Sequence, residues 1–274
     1  MFYNEFVKAK PAIEESDILK SAFLANMSHE VRTQLNGILG ITQMILQSKE
    51  TDCDVKNDVK MIVDSGNSLL ALFDNIVDMM KIEERKIQIA TKPLFLNALM
   101  DEIFSMFLNH PIYKQKNAKQ KNIILKYDRA NKNIAIVADP VRLKQILVNL
   151  IENALKFTEK GYIYYGYSIR NGELVFYVMD SGIGIPMDKK DQIFDWFVQD
   201  DNVSVRKYGG MGLGLPISNG LARLMNGKIW CVSDVKKGSS FYFTIPYRPA
   251  SMMAIVDAPL KKNPGQRQLY SFDY

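Results

Sequence analysis

His29 is the residue of this chain whose type and position most clearly suggest chemistry. Apolar residues from about Ser16 to Gln47 recur at spacings of three and four, which predicts a long amphipathic helix. On such a helix His29 points roughly 200° away from the apolar stripe, so it lies on a small, polar face. A neutral imidazole nitrogen is a good nucleophile at neutral pH, and the adjacent Glu30 can orient it or accept its proton. The other histidine, His110, precedes a proline in a polar segment and is predicted to be a surface residue.

Asn149, Asn153 and Lys156 form a second set, at spacings that place them on one face of a helix. That helix is predicted to begin at Asp139, which is an N-cap residue followed by a proline, and to run to about Thr158. Amide oxygens suit Mg²⁺, and a lysine one turn further on can reach a phosphate. By itself the pattern is more typical of the polar outer face of an amphipathic helix, so its interpretation depends on the motifs that follow it.

Two glycine-rich segments follow this helix, Asp180-Ser-Gly-Ile-Gly-Ile-Pro186 and Gly209-Gly-Met-Gly-Leu-Gly214. In the first, the glycines permit close approach of the backbone to a flat ligand, and Asp180 can accept a hydrogen bond from an exocyclic amine. The second opens a predicted helix, whose N-terminal amides can cradle a phosphate. It matches neither the Walker A pattern nor a dinucleotide-binding fingerprint.

Composition indicates an ordinary folded protein that holds these residues in place. The 274 residues are 47% hydrophobic and 24% charged, and the length suggests two domains. No apolar run is long enough to cross a bilayer. The net charge of +5 is too weak a bias to argue for nucleic acid. Cys53 and Cys231 lie far apart, form no metal or redox spacing, and fit a reducing cytoplasm.

The order of predicted elements divides the chain into four parts. Residues 1–15 are predicted to be a linker or signalling helix, and 16–90 an antiparallel helical hairpin whose second helix ends near Lys86. Such a hairpin cannot bury both faces of its apolar stripe, so self-association into a four-helix bundle is expected. Residues 91–248 are predicted to be an α/β sandwich, and 249–274 a linker tail.

The expected elements of the sandwich follow from periodicity and turn residues. A lysine-rich stretch from Lys114 to Lys132 is interpreted as a solvated face or loop. Asn171-Gly172 is a favoured turn between two strands. In chain order, the predicted helices are Asn97–Leu108, the Asp139 helix, Lys189–Val198 and Leu213–Met225, and the predicted strands are Ile123–Tyr127, Ile134–Ala138, Tyr162–Ile169, Glu173–Met179, Ile229–Ser233 and Ser240–Pro246.

Taken together, these motifs resemble those of the sensor histidine kinases of two-component systems. The resemblance covers roughly residues 16–247, in the order that the family has. Phe23–Thr33 is similar to the phospho-acceptor box, Asn149–Thr158 to the N box, Asp180–Pro186 to the first glycine box, Ile193–Gln199 to the F box, Gly210–Gly214 to the second glycine box and Lys237–Phe241 to the last glycine motif. The resemblance implies an α hairpin forming a dimeric four-helix bundle, followed by an α/β sandwich ATP-binding domain of the histidine kinase, gyrase and MutL type.

For the phospho-acceptor helix, the resemblance implies three roles. His29 would take the γ-phosphoryl group of ATP, with Glu30 as its general base. Thr33, one turn further on, would position the attacking water when the phosphorylated regulator is hydrolysed. Gln34 stands where the family commonly has proline, which predicts a straighter and stiffer helix below His29.

For the ATP-binding domain, the resemblance implies a site for ATP and Mg²⁺. Asn149 and Asn153 would hold the metal, and Lys156 would contact the phosphates. Asp180 would bind the adenine amine. The remaining implied nucleotide-site residues are Gly182 and Gly184 in the first glycine box, Phe194 and Phe197 in the F box, and Gly210, Gly212, Leu213 and Gly214 at the phosphate-binding end of a lid that spans about residues 200–210. Phe194 and Phe197 are equally compatible with ordinary core aromatics.

The resemblance also implies partners and a location. The expected partners are a second copy bound through the helical hairpin, a response regulator or a fused receiver domain, and an upstream sensor region. The chain would be the cytoplasmic portion of a bacterial sensor kinase whose full-length form is anchored in the inner membrane.

Two other functions compete with the kinase interpretation. Hydrolytic ATPases of the same superfamily, such as DNA gyrase and the mismatch-repair proteins, place a water-activating glutamate four residues before the metal-binding asparagine. Here that position is Asn149, and Glu152 lies on a different face of the helix. A dimeric scaffold or pseudokinase that signals by conformation alone is the other alternative. The complete set of site residues argues against it, whereas Gln34 and the unusual lid leave it open.

Overall fold

The computed structural model describes residues 31, 33, 35–43, 45, 52–119, 122–129, 134–196 and 212–250. The residues described before position 46 are all helical, and helix α1 spans Asp52–Glu83. A Cβ atom on Gly37 would lie 3.8 Å from Oγ of Ser65, so the first helical segment packs beside α1. This confirms the expected pair of helices. None of the described helices is long and apolar enough to span a bilayer.

The second part of the chain is an α/β unit with two sheets. Strands β1 (Lys92–Phe95) and β3 (Ala135–Ala138) form an antiparallel pair. The larger sheet has the order β2-β4-β5-β7-β6, with β2 parallel to β4 and the other pairs antiparallel. Its strands are β2 (Ile123–Tyr127), β4 (Gly161–Arg170), β5 (Glu173–Asp180), β6 (Ile229–Asp234) and β7 (Gly238–Pro246).

Among the described residues, four helices of this unit pack on one face of the larger sheet and contribute to the core. They are α2 (Leu96–Leu108), α3 (Pro111–Ala118), α4 (Pro140–Phe157) and α5 (Gly214–Leu224). Burial alternates strictly along β5, so one face of the strand meets the helices and the other is more open. Fully buried side chains from α4 and from β5 and β7 share one apolar core. This is the predicted two-layer sandwich.

Local sequence signals explain where two of these elements begin. The Asp139 carboxylate accepts hydrogen bonds through Oδ1 from the backbone N–H of Val141 (3.0 Å) and of Arg142 (3.1 Å), which confirms it as the N-cap of α4. Its other oxygen, Oδ2, accepts from the N–H of Ala90 at 2.9 Å. Between β4 and β5, Asn171 and Gly172 have φ values of 51° and 77°, as a primed hairpin turn requires.

Several predictions for the α/β unit are wrong. In the lysine-rich stretch, Lys114, Lys119 and Lys126 are exposed as predicted, but Lys116 of α3 is only 3% exposed. His110 is half-buried and is the N-cap of α3, with Nδ1 accepting from the N–H of Ile112 at 3.3 Å. In place of a helix over 189–198, the described residues form two 3₁₀ turns, Met187–Lys189 and Gln192–Phe194. The local structure of such short segments depends on which of their side chains are buried, because they are too short for a helical periodicity to predict it. Strand β1 was not predicted, because it is short and contains Pro93, which is unfavourable within a strand.

The chain leaves the α/β unit along the small sheet. The carbonyl of Arg248 accepts from the N–H of Val137 at 2.8 Å, and the N–H of Ala250 donates to Ala135 at 3.0 Å. Pro249 pairs with Ile136 in an antiparallel bridge. Residues 248–250 therefore lie along β3, so the first two residues of the predicted linker tail belong to the sheet.

The end of α1 packs against the α/β unit. The carboxylate of Asp78 accepts through Oδ2 from Nη1 of Arg142 (2.9 Å) and from Nε2 of Gln145 (2.8 Å). One turn further along, Ile82 faces Gly220 of α5, where a Cβ would lie 2.6 Å from Cγ2 of Ile82. Polar and apolar contacts on the same face thus hold the helix to α4 and α5.

Candidate functional site

Asn149 lies at the centre of the candidate site, where α4 meets the start of α5. Its Nδ2 donates to the carbonyl of Gly214 (3.2 Å) and to Oγ of Ser218 (3.3 Å). The Ser218 hydroxyl in turn donates to the Gly214 carbonyl at 2.8 Å. Because the amide nitrogen is occupied by these acceptors, Oδ1 is the atom of Asn149 that remains available to a ligand. The N box and the second glycine box are therefore joined through one side chain.

Asn153 and Lys156 continue the same face of α4 toward its C-terminal end. Both side chains are half-buried, whereas Leu155 and Ala154 between them are fully buried in the core. Across the described ranges there is no cluster of three His, Cys, Asp or Glu side chains that could hold a metal ion. Mg²⁺ does not need one, because it is bound in nucleotide sites by few protein oxygens together with water and phosphate oxygens. The two asparagine amides fit that requirement.

Asp180 is at the end of β5 and is 6% exposed. Its Oδ1 accepts hydrogen bonds from the backbone N–H of Gly182 (2.8 Å) and of Ser239 (3.3 Å). Burial raises the pKa of Asp180 from 3.8 to about 6, and these two N–H groups partly oppose that rise. Both hydrogen bonds use Oδ1, which leaves Oδ2 as the carboxylate oxygen able to accept from a ligand amine.

The first glycine box packs tightly against the protein's own backbone. A Cβ on Gly182 would lie 2.5 Å from the carbonyl oxygen of Phe157, the last residue of α4. Gly184 has a φ of +73°, and a Cβ there would lie 2.0 Å from the carbonyl oxygen of Asp234. Glycine is required at both positions because the loop is pressed onto α4 and onto the end of β6. The close approach predicted for a ligand is thus, in the described structure, an approach to the chain itself.

The structure describes only part of the remaining predicted site. Phe194 packs edge-on against Phe241, with ring centroids 6.3 Å apart, as a core aromatic does. Gly212 has a φ of +68° just before α5, and the Leu213 side chain is 2% exposed, so Leu213 has only its backbone to offer a ligand. Thr33 is exposed on the first helical segment. Four predicted residues lie outside the described residues: His29, Glu30, Phe197 and Gly210.

Three residues that support the site were not among the predicted site residues, although one of them, Ser239, lies in the last glycine motif. Ser218 lies one helical turn after Gly214, and Ser239 directly follows Gly238, so both positions were readable from spacing. Lys116 donates from Nζ to the carbonyls of Leu155, Lys156 and Thr158 at the end of α4. The sequence feature that indicated burial of Lys116 was its four-residue spacing from Ile112, which places both residues on one face of α3.

Comparison with known proteins agrees with this geometry. Residues 138–249 match the family "Histidine kinase-, DNA gyrase B-, and HSP90-like ATPase", and residues 19–85 match the "His Kinase A (phospho-acceptor) domain". The autoinducer 2 sensor kinase/phosphatase LuxQ of Vibrio parahaemolyticus is 34% identical over 267 residues, which cover 94% of this chain and 30% of LuxQ. The chain spans less than a third of the length of the curated relatives it matches.

Two solved structures of histidine kinases are similar over most of the chain. Full-length ShkA in complex with AMPPNP has a TM-score of 0.62 and 30% identity, covering 83% of this chain and 46% of ShkA. Histidine kinase ThkA in complex with the response regulator protein TrrA has a TM-score of 0.58 and 25% identity, covering 85% of this chain and 63% of that chain.

The α/β unit, with its N box joined to the start of α5 and its buried carboxylate after β5, is an ATP-binding domain of the type that histidine kinases share with DNA gyrase B and HSP90. A phospho-acceptor helical region precedes it. The chain belongs to the sensor histidine kinases of two-component signal transduction.

Proposed function

We propose that this chain is the catalytic core of a sensor histidine kinase, which transfers the γ-phosphoryl group of ATP to His29 and from there to an aspartate of a response regulator or receiver domain. The observation that carries the proposal is the Asn149 bridge. The Asn149 amide nitrogen donates to the Gly214 carbonyl and to the Ser218 hydroxyl. The face of α4 proposed to bind the metal and the N-terminus of α5 therefore lie side by side. A magnesium-bound triphosphate needs that juxtaposition of amide oxygens and helix N–H groups.

In this proposal each end of the nucleotide has its own residues. The Asp180 carboxylate accepts from the adenine amine through Oδ2, beside the loop that carries Gly182 and Gly184. Asn149 and Asn153 ligate Mg²⁺ through their amide oxygens, and Lys156 contacts the phosphates. Backbone groups of Gly210, Gly212, Leu213 and Gly214 bind the phosphate end, and Phe194 and Phe197 anchor the lid. Magnesium supplies charge neutralisation on the phosphate oxygens.

The phospho-acceptor chemistry belongs to the helical hairpin. A nitrogen of the neutral His29 imidazole attacks the γ-phosphorus, ADP leaves, and Glu30 accepts the imidazole proton. Thr33, one turn further along the helix, positions the water that hydrolyses the phosphorylated regulator. LuxQ carries both kinase and phosphatase in its name, which supports a dual activity in this chain.

We also propose a homodimer formed through the helical hairpin. Large apolar side chains are exposed along both described parts of the hairpin, and a second hairpin would cover them in a four-helix bundle. They are Leu35, Leu39, Val59, Met61, Val63, Leu70, Phe73, Val77 and Met80. The structure of ThkA with TrrA supports a response regulator as the other partner.

The length of the relatives supports a larger assembly. LuxQ is more than three times as long as the matched region, and its name includes a sensor. We therefore propose an upstream sensor region and a cytoplasmic position for this core in a bacterial kinase anchored in the inner membrane.

Incubation with Mg²⁺ and γ-labelled ATP tests the proposal. The wild-type chain is expected to acquire a label that is lost in acid and retained in alkali, as a phosphohistidine requires. His29→Gln is expected to bind ATP normally and to acquire no label. Asn153→Ala is expected to keep the fold, measured by circular dichroism, and to lose labelling because one metal ligand is gone.

Three results would contradict the proposal. Label retained in His29→Gln would exclude His29 as the acceptor. Undiminished labelling of Asn153→Ala would exclude the metal assignment. ATP binding by the wild-type chain with no labelling would favour the scaffold alternative, with Gln34→Pro as the first variant to examine.

A further inference from the structure

We propose that Lys116 is a positioning residue for the nucleotide site, which acts by fixing the last turn of α4 against the loop after β5. The inference rests on the proposed ATP-binding function and adds a residue to it. Lys116 belongs to the lysine-rich stretch, yet it is 3% exposed, whereas Lys114 on the same helix is exposed. No other part of the proposed mechanism uses it.

The backbone carbonyls at the end of α4 show what Lys116 does. The last four carbonyls of an α-helix have no partner within the helix. In α4, the carbonyl of Ala154 accepts from the N–H of Thr158 at 3.0 Å, and the carbonyl of Phe157 accepts from the N–H of Ile183 at 3.3 Å. The remaining two accept from Nζ of Lys116, at 2.7 Å for Leu155 and 3.1 Å for Lys156. One side chain therefore satisfies half of the helix end.

A third contact extends this cap beyond the helix. Nζ of Lys116 also donates to the carbonyl of Thr158 at 2.8 Å. Thr158 has extended backbone angles (φ −100°, ψ 113°), so the helix ends without the left-handed glycine that commonly satisfies these carbonyls. An ammonium group has three N–H donors, and here three carbonyls accept them. The positive charge also lies at the C-terminal end of the helix, where the helix dipole favours it.

The turn that Lys116 caps carries groups for both ends of the nucleotide. Asn153 and Lys156, proposed for the metal and the phosphates, belong to the last two turns of α4. The Phe157 carbonyl receives the N–H of Ile183 and lies 2.5 Å from where a Cβ of Gly182 would be, so the adenine-side loop rests on the same turn. A shift of this turn would change the distance between the phosphate-binding and adenine-binding groups.

The test compares Lys116→Met with Lys114→Met in the full chain. Lys116→Met removes the three donors without leaving a buried charge, so the turn and the Ile183 loop are expected to loosen. We expect faster backbone hydrogen exchange in residues 180–184, a measurement that requires no nucleotide. In autophosphorylation we expect the KM for ATP to rise about tenfold with kcat within about twofold, because ground-state binding rather than phosphoryl transfer is affected. Lys114→Met is expected to match the wild type in both measurements.

The KM and kcat readouts separate positioning from a general structural role. A variant that only loses part of its folded population lowers kcat and keeps its KM. Unchanged exchange in residues 180–184, or faster exchange with an unchanged KM, would overturn the proposal. If Lys116→Met does not fold, Lys116→Gln replaces it, because glutamine retains two N–H donors. Lys116→Gln is expected to show the same changes in exchange and in KM, but smaller. If neither change is seen, the proposal is overturned. Failure of the wild type to bind ATP would contradict the proposed function, while the exchange result would still decide the role of Lys116.

Discussion

Asp180 is a buried ionisable residue, and its burial lowers the stability of the folded protein. Its carboxylate is buried at the end of β5, and burial raises its pKa from 3.8 to about 6. Two backbone N–H groups hold Oδ1 in place but do not compensate fully for lost hydration. A residue that only closed this loop would be more stable as an amide, which supports the proposed role of the Asp180 carboxylate in accepting a hydrogen bond from a ligand.

Asp180→Asn is expected to stabilise the protein at pH 7 and to abolish ATP binding. Because the folded pKa (about 6) exceeds the unfolded value (3.8), the folded protein binds more protons between about pH 4 and pH 6. The wild-type free energy of unfolding therefore falls as the pH rises through this window and is level above it. The shift corresponds to at most about 3 kcal/mol. The free energy of unfolding of Asp180→Asn is expected not to fall in this window, because the asparagine amide oxygen can keep the contacts of Oδ1 without ionising.

Urea denaturation at pH 4.5 and pH 7.5, beside titration with ATP, measures both effects. Asp188→Asn, which changes an acidic residue of the 3₁₀ turn Met187–Lys189, is the matched control. An Asp180→Asn protein that binds ATP like the wild type would remove the adenine-binding role. A variant less stable than the wild type at pH 7.5 would contradict the stated cause of the raised pKa.

Among the elements, helix α4 organises the candidate site, and both its ends are fixed by side chains outside the helix. Asp139 caps its first turn and also receives the N–H of Ala90 from the segment after α1. Lys116 caps its last turn. The face between them holds the two asparagines and Lys156, so the direction of α4 determines where these groups point.

Asp139→Ala is expected to lower the free energy of unfolding by about 2 kcal/mol, the upper part of the range for loss of an N-cap, because three N–H donors lose their acceptor. Asp139→Asn keeps one carbonyl oxygen on Val141 and Arg142 and is expected to lose less than half as much. The midpoint of urea denaturation, followed by circular dichroism, measures both variants. Equal losses in the two would show that the carboxylate charge, rather than the cap, stabilises this helix end.

Most of these elements, but not their contacts, could be predicted from the sequence. The start of α4 was predictable because Asp139-Pro140 is a local signal, and so was the hairpin at Asn171-Gly172. Lys116 could not be identified in this way, since a lysine among lysines is usually solvated and only the distant carbonyls of α4 explain its burial. The same holds for the Asn149 bridge, which joins residues 65 positions apart. Motif order predicted the site residues, and tertiary contacts alone revealed what holds them.

In the molecule as a whole, the end of α1 contacts the ATP-binding unit through polar and apolar side chains, and Met79 of α1 is buried in the apolar core of that unit. The Asp78 and Arg142 side chains are 15% and 21% exposed, and Gln145 donates to the same carboxylate oxygen. Ile82 fills the space that Gly220 leaves open. The end of α1 is thus held to the unit by the Asp78–Arg142 ion pair and by buried apolar side chains.

Asp78→Asn is expected to loosen this contact. The variant loses the charge that pairs with Arg142, so the end of α1 should open more often, and trypsin should cleave severalfold faster after Arg85 or Lys86, both exposed just beyond α1. Native-state proteolysis followed by mass spectrometry measures the rates. Asp74→Asn, one turn earlier on α1 and exposed, is the matched control. Equal cleavage of the two variants would show that the ion pair does not hold the two parts together.

The pairing of residues 248–250 with β3 has a consequence for how such a unit can be combined with others. Strand β1, by which the chain enters the unit, lies on one side of β3, and the departing residues lie on the other. Lys92 lies beside Ala138 and Ala250 beside Ala135. With neighbouring strands about 4.8 Å apart and about 3.4 Å per residue along β3, entry and exit are separated by roughly 14 Å. A unit whose two ends are neighbours can be spliced between unrelated segments of another polypeptide without stretching either. The ATP-binding unit can therefore be inserted into longer chains by domain shuffling while its interior stays unchanged.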